Sequence, residues 1–116
     1  MSEMSSFSQT GLLAEREQLV MLAITHLADD AYAVAIRDEV EIRTGIRLRR
    51  GGVYEALERL ERRGYLRSHN ADPTPERGGR AKRVFVVTPP GRRALAEAEL
   101  AVARMRGDAP AARIVR

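Results

Sequence analysis

A mostly α-helical fold carrying one small two-stranded β-hairpin is what this sequence predicts, and three observations carry that prediction. Four stretches repeat apolar residues at helical spacing. Two short segments of strand character flank a polar loop that contains Pro73, Pro75, Gly78 and Gly79. A strong helix-start signal, Thr88-Pro89-Pro90, follows the second of them. The chain has 116 residues, 44% of them hydrophobic and 31% charged, which suits one small globular domain. Its longest apolar run is six residues, 19–24, where a membrane span needs about 20. There are no cysteines, which excludes disulfides, thiolate zinc sites and thiol catalysis. With no basic-then-apolar leader at the start, the expectation is a cytoplasmic protein.

Residues 1–10 are small, polar and aperiodic and are expected to form a flexible arm. A first helix is predicted from Leu12, with Leu12, Leu13, Leu19, Val20, Ala23, Ile24 and Leu27 on a broad apolar face. Asp29 and Asp30 are placed to cap a second helix, whose buried stripe is Tyr32, Ala35, Ile36 and Val40. Arg37 and its charged neighbours are expected in solvent, and Gly45 supplies the stop. A third helix is predicted over 51–63, facing inward through Val53, Leu57 and Leu60 and ending at Gly64. Strands follow over 65–69 and 83–87. The last helix, 89–106, spaces Leu95, Ala98, Val102 and Met105 as a heptad seam, and residues 107–116 are expected to be a disordered tail. Helix, helix, helix, strand, strand, helix is the order of a winged helix-turn-helix. Residues 11–88 would form that domain, with 89–106 as a C-terminal dimerisation helix.

Charge is distributed unevenly. Residues 1–46 hold three arginines against eight acids, a net −5, whereas residues 47–93 hold thirteen basic residues against five acids, a net +8. A basic block inside an otherwise acidic or neutral chain is the footprint of a polyanion partner. Nineteen of the twenty basic residues are arginine, which suits phosphate forks and base edges but follows equally from codon bias.

The segments DDAYAVAIRDEVEIRTG (29–45), GGVYEALERLERRGYL (51–66) and PTPERGGRAKRVFVVTPPGRRAL (73–95) together resemble the PadR family of bacterial transcriptional regulators, in its short form with one C-terminal helix. The resemblance implies a homodimeric winged-helix protein that binds double-stranded DNA, usually as a repressor and often relieved by a small ligand. Two departures stand out. Arg49-Arg50-Gly51-Gly52 occupies the place where the family commonly has serine or another small polar residue. The chain also lacks tryptophan, so the mode in which some short members hold flat aromatic drugs is not expected.

On a helical wheel Gly51, Glu55, Glu58, Arg59 and Arg62 face away from the core, with Tyr54 on the flank; in a helix-turn-helix that face enters the major groove. Arg49 and Arg50 can reach phosphates or guanine edges, Gly51 and Gly52 leave the helix N-terminus open to a phosphate, and Tyr54 can donate its hydroxyl to one. Glu55 has two readings, acceptor from a cytosine amino group or partner of Arg59 four residues on; for Glu58 the intrahelical pair with Arg62 is preferred. Arg77, Arg80, Lys82 and Arg83 are the expected phosphate contacts of the wing, against the alternative of a charged loop in solvent. Dimerisation is assigned to Leu12, Leu13, Leu19, Leu95, Ala98, Val102 and Met105, although the last helix could instead pack on its own domain. No catalytic constellation, phosphate-loop motif or metal-ligand spacing is present; His26 reads as structural, and His69 near Asp72 lacks a third ligand. No cofactor is expected. A winged-helix module that binds an acidic protein rather than DNA is the competing function.

Overall fold

The computed structural model describes residues 12–71 and 82–113. Helices α1 (Glu15–Leu27), α2 (Ala33–Thr44) and α3 (Arg50–Arg62) lead into strands β1 (Leu66–Asn70) and β2 (Arg83–Val87), and α4 (Pro89–Arg106) follows. The strands pair antiparallel with Leu66 opposite Val87 and Asn70 opposite Arg83. This is a winged helix-turn-helix with one further helix. Among the described residues no helix is long and apolar enough to cross a membrane.

Helix α1 begins three residues later than the apolar pattern suggests. Ala14, the N-cap residue, has extended backbone and no side-chain oxygen with which to cap. The Glu17 carboxylate serves instead, accepting the Ala14 N–H at 2.9 Å. Beyond it, Val20, Met21, Ala23 and Ile24 are buried, and α1 packs on α2, α3, β2 and α4. The helix is thus the axis of the core.

Asp29 and Asp30 do not cap α2. They lie exposed in a 3-10 turn, Ala28–Asp30, and Tyr32 takes the N-cap position without a side-chain cap bond. The cause is the neighbouring sheet. Phe85 donates its N–H to the Ala31 carbonyl at 2.9 Å, and Tyr32 forms a β-bridge with Val84, so this stretch runs alongside the hairpin edge. Backbone pairing to a strand displaces a side-chain cap.

Gly45 ends α2 in the left-handed conformation, φ +77, as the sequence predicts. The turn into α3 is held by residues expected in solvent. Arg37 donates from Nε to the Leu48 carbonyl at 2.8 Å, and Arg47 pairs with Glu41 at 3.0 Å. Leu48 itself is buried. Helix α3 buries Val53, Ala56, Leu57 and Leu60 against this scaffold. Each strand lies within a residue of its predicted place, and Leu66, Phe85 and Val87 complete the core.

Thr88 caps α4 and also closes the hairpin. Its Oγ1 accepts the Gly91 N–H at 3.1 Å and donates to the Gly64 carbonyl at 2.6 Å. Prolines fill the first turn, where an N–H would have no helical partner. Thr88→Ala removes both bonds and is expected to lower stability by about 1–2 kcal/mol. Urea unfolding monitored by circular dichroism measures this directly; an unchanged midpoint would show that water replaces the hydroxyl without loss.

Candidate nucleic-acid interface

With one face of α3 in the core, the opposite face is open. Gly51, Tyr54, Glu55, Glu58 and Arg62 are exposed along it, and Tyr54 retains 45% of its surface. Arg49 is the N-cap residue and Arg50 the first helical residue; both are exposed, and Arg49 makes no side-chain cap bond. Gly51 has open space where a side chain would project. The first turn therefore presents backbone N–H groups and two guanidinium groups with nothing built over Gly51, an arrangement suited to a phosphate.

Sequence reasoning missed Arg16. Its guanidinium comes from α1 and lies across the same turn, so that a Cβ on Gly52 would sit 3.3 Å from Nη1. Glycine at this position makes room for a cation brought from another helix. No local pattern links positions 16 and 52; only the packing of α1 on α3 does.

Arg59 is placed differently from the wheel reading. It is half-buried and turns toward α1, donating from Nε to the Glu17 carboxylate at 2.8 Å. Arg63 approaches the same carboxylate at 3.7 Å. Glu17 is only 4% exposed. Burial alone would raise its pKa, but the Arg59 hydrogen bond, the Ala14 N–H and the charges of Arg59 and Arg63 prevail and hold it below the ordinary 4.5. Neither intrahelical pair expected on this face, Glu55–Arg59 or Glu58–Arg62, is among the ion pairs of the described residues. Arg59 has exchanged a solvated neighbour for a buried one, whose low dielectric makes the stronger partner.

The wing root adjoins α3. Arg83 pairs with Glu61 of α3 and donates to Ser68 Oγ at 3.1 Å. Lys82 places its Nζ 3.5 Å from the centre of the Tyr32 ring. Between the wing root, the start of α2 and α3 runs a groove of about 420 Å³, lined by Tyr32, Ala33, Val34, Tyr54, Lys82, Arg83 and Phe85. Arg77 and Arg80 lie outside the described residues.

The residues assigned to subunit pairing divide in two. Leu13, Leu95 and Ala98 are buried in the protomer's own core, so they are not free to meet a second copy. The first half of α4 thus packs on its own domain, the alternative that the sequence leaves open. Leu12 and Val102 are exposed, Leu19 is half-buried and Met105 is 87% exposed. Among the described residues no cluster of three or more potential metal ligands occurs.

Residues 21–97 match the model of the transcriptional regulator PadR-like family. The chain belongs to this family. Solved structures agree with the PadR-like assignment. A PadR family transcriptional regulator from Eggerthella lenta is 27% identical, with a TM-score of 0.63 over 79% of this chain and 78% of its own. A PadR-like transcription factor from Bacteroides fragilis shares the fold at 22% identity, with a TM-score of 0.66 over 90% of this chain and 93% of its own. No curated protein matches the sequence. PadR-like regulators act in transcription, which makes the open face of α3 and the wing root the surfaces of interest.

Proposed function

We propose that this PadR-like regulator is a sequence-specific repressor that binds a pseudo-palindromic DNA operator as a homodimer. The open face of α3 supports this reading above all. Its outer surface is free, its first turn is flanked by Arg16, Arg49 and Arg50, and the helix is clamped from behind by the core and by Glu17. In the major groove the N-terminal residues of such a helix lie nearest the base edges. Arg49, Arg50, Gly51 and Gly52 are there, with Tyr54, Glu55 and Arg62 along the exposed face. Arg59 acts from the flank, supporting the helix through Glu17. Lys82 and Arg83, with Arg77 and Arg80 of the wing, supply phosphate contacts.

Pairing would use Leu12, Leu19, Val102 and Met105, the part of the predicted seam that the core leaves accessible, with exposed Leu100 beside it. A two-fold axis would set two α3 helices about 34 Å apart, one turn of DNA. Selection of bound duplexes from a random pool tests these points together. The expected product is two inverted half-sites centred about 10 base pairs apart, whose affinity falls by orders of magnitude from low to moderate salt if roughly 6–10 phosphates are engaged. Equal affinity for every duplex would overturn the specific reading.

Glu55 and Glu58 favour one alternative. Both are exposed on α3 and neither is among the ion pairs of the described residues, as suits a basic segment of a protein partner. That reading predicts no duplex binding at modest salt.

A further inference from the structure

We propose that Tyr32 is a positioning residue for DNA binding: its ring holds the Lys82 ammonium at the mouth of the groove beside Tyr54, where one phosphate of a DNA strand is taken up by both. The inference rests on the DNA-binding reading and adds a residue and a sub-site to it. Two independent contacts tie the wing root to the start of α2. Tyr32 and Val84 form a β-bridge in which the Phe85 N–H donates to the Ala31 carbonyl at 2.9 Å, and the Lys82 Nζ lies 3.5 Å from the Tyr32 ring centre. The bridge fixes the backbone at Tyr32, so its ring has a defined place. The second contact fixes a flexible side chain on that ring.

Lysine on a solvated loop loses rotamer entropy when it binds a phosphate. A lysine already resting on an aromatic face has lost part of that freedom beforehand, while its charge remains available because the ring supplies no countercharge. Lys82 has no acidic partner among the ion pairs of the described residues, unlike Arg83, which is paired with Glu61. Among the described residues the groove it faces has no acidic lining residue, and Tyr54 adds a hydroxyl donor. A cation and a hydroxyl beside such a groove recognise a phosphate. The location selects DNA as its source, because the groove opens between α3 and the wing, the two elements that would straddle a strand. Val34, 51% exposed at the same groove, offers an apolar surface for a deoxyribose.

A double-mutant cycle on the full chain tests the proposal. Binding to a duplex chosen by random-pool selection is followed by fluorescence anisotropy over a range of salt for the wild type, Lys82→Ala, Tyr32→Leu, Tyr32→Phe and Tyr32→Leu/Lys82→Ala, each checked for folding by thermal melting. Tyr32→Leu and Lys82→Ala are each expected to weaken binding about three- to ten-fold and to reduce the salt slope by about one. Tyr32→Phe, which keeps the ring, should bind within about two-fold of wild type. In the Lys82→Ala background, Tyr32→Leu should cost nothing more. Equal losses from Tyr32→Leu with and without Lys82 would make Tyr32 merely structural and overturn the proposal, as would wild-type binding by Tyr32→Leu. If Tyr32→Leu fails to fold, Tyr32→Phe and Lys82→Ala still decide, since a Phe variant as weak as Lys82→Ala contradicts a role for the ring. Wild-type protein that binds no duplex overturns both this inference and the DNA reading. Wild-type protein that binds duplex with a salt slope unchanged by Lys82→Ala overturns this inference alone. Tyr54- and Lys82-dependent binding of inorganic phosphate without duplex binding would give the groove to a small anion instead.

Discussion

Replacing Gly91 with alanine is expected to destabilise the protein by about 3 kcal/mol or more, at the severe end for an added methyl group. Helix propensity alone predicts the opposite sign, because alanine in a helix is favoured over glycine by roughly 1 kcal/mol. The packing reverses it. A Cβ at Gly91 would lie 2.2 Å from the Tyr65 carbonyl oxygen and 3.0 Å from Val87 Cγ1. That carbonyl cannot retreat cheaply, since it accepts the Thr88 N–H at 3.1 Å and so closes the hairpin against α4. Gly91 is itself buried and donates to the Thr88 cap. Gly51→Ala is the matched control. Nothing lies within 4 Å of the place its methyl group would take, and it should gain about 0.5–1 kcal/mol from propensity. Thermal melting of the two variants should give shifts of opposite sign, with Gly91→Ala down by roughly 10–20 °C. Two upward shifts would show that backbone propensity, not the Tyr65 contact, controls both positions.

Features written in short stretches of chain are the ones the sequence makes readable. Thr88-Pro89-Pro90 is a complete instruction for starting a helix, and α4 begins at Pro89 as expected. Gly45 and Gly107 end their helices with φ near +80, again from a single residue. Val53, Leu57 and Leu60 define the inward face of α3 by spacing alone. Contacts that cross the fold leave no such trace. Arg59 finds Glu17 across 42 positions, Arg16 finds Gly52, and Lys82 finds Tyr32. Each of these side chains carries a charge that fits a solvated helix face or loop equally well, so local pattern cannot separate the two fates. The cap assigned to Asp29 and Asp30 errs for the same reason. Their residue types are right for a cap, but the competing partner, the edge of β2, is more than fifty residues away in the chain. The heptad seam shows the converse limit. Spacing marks Leu95, Ala98, Val102 and Met105 as one stripe, and only the fold reveals that its first half is spent on the protomer's own core.

Glu17 yields the other large effect, and its pH dependence identifies the cause. Glu17→Ala removes the acceptor of the Ala14 N–H and strips Arg59 and Arg63 of their shared carboxylate. Removing one partner of a fully buried pair costs about 3–5 kcal/mol, but the Arg59 side chain is 41% exposed and water can solvate part of it. A loss of about 2–3 kcal/mol is therefore expected, and less for Glu17→Gln, whose amide oxygen can still accept from Ala14. The native pKa lies below the ordinary 4.5, so in acid the unfolded chain takes up the proton before the folded one does. The stabilisation is complete above 4.5 and is lost as pH falls through the lower native value. The gap in melting temperature between wild type and Glu17→Gln should accordingly be widest near neutrality and narrow as the pH is taken below 4.5. A gap independent of pH would mean that side-chain shape, rather than charge, secures α3 to α1. Because Arg59 lies in the last turn of α3 and Arg63 is its C-cap residue, the same titration should loosen the helix proposed to read DNA, and duplex affinity measured with Glu17→Gln at neutral pH separates that effect from protonation of any other acid.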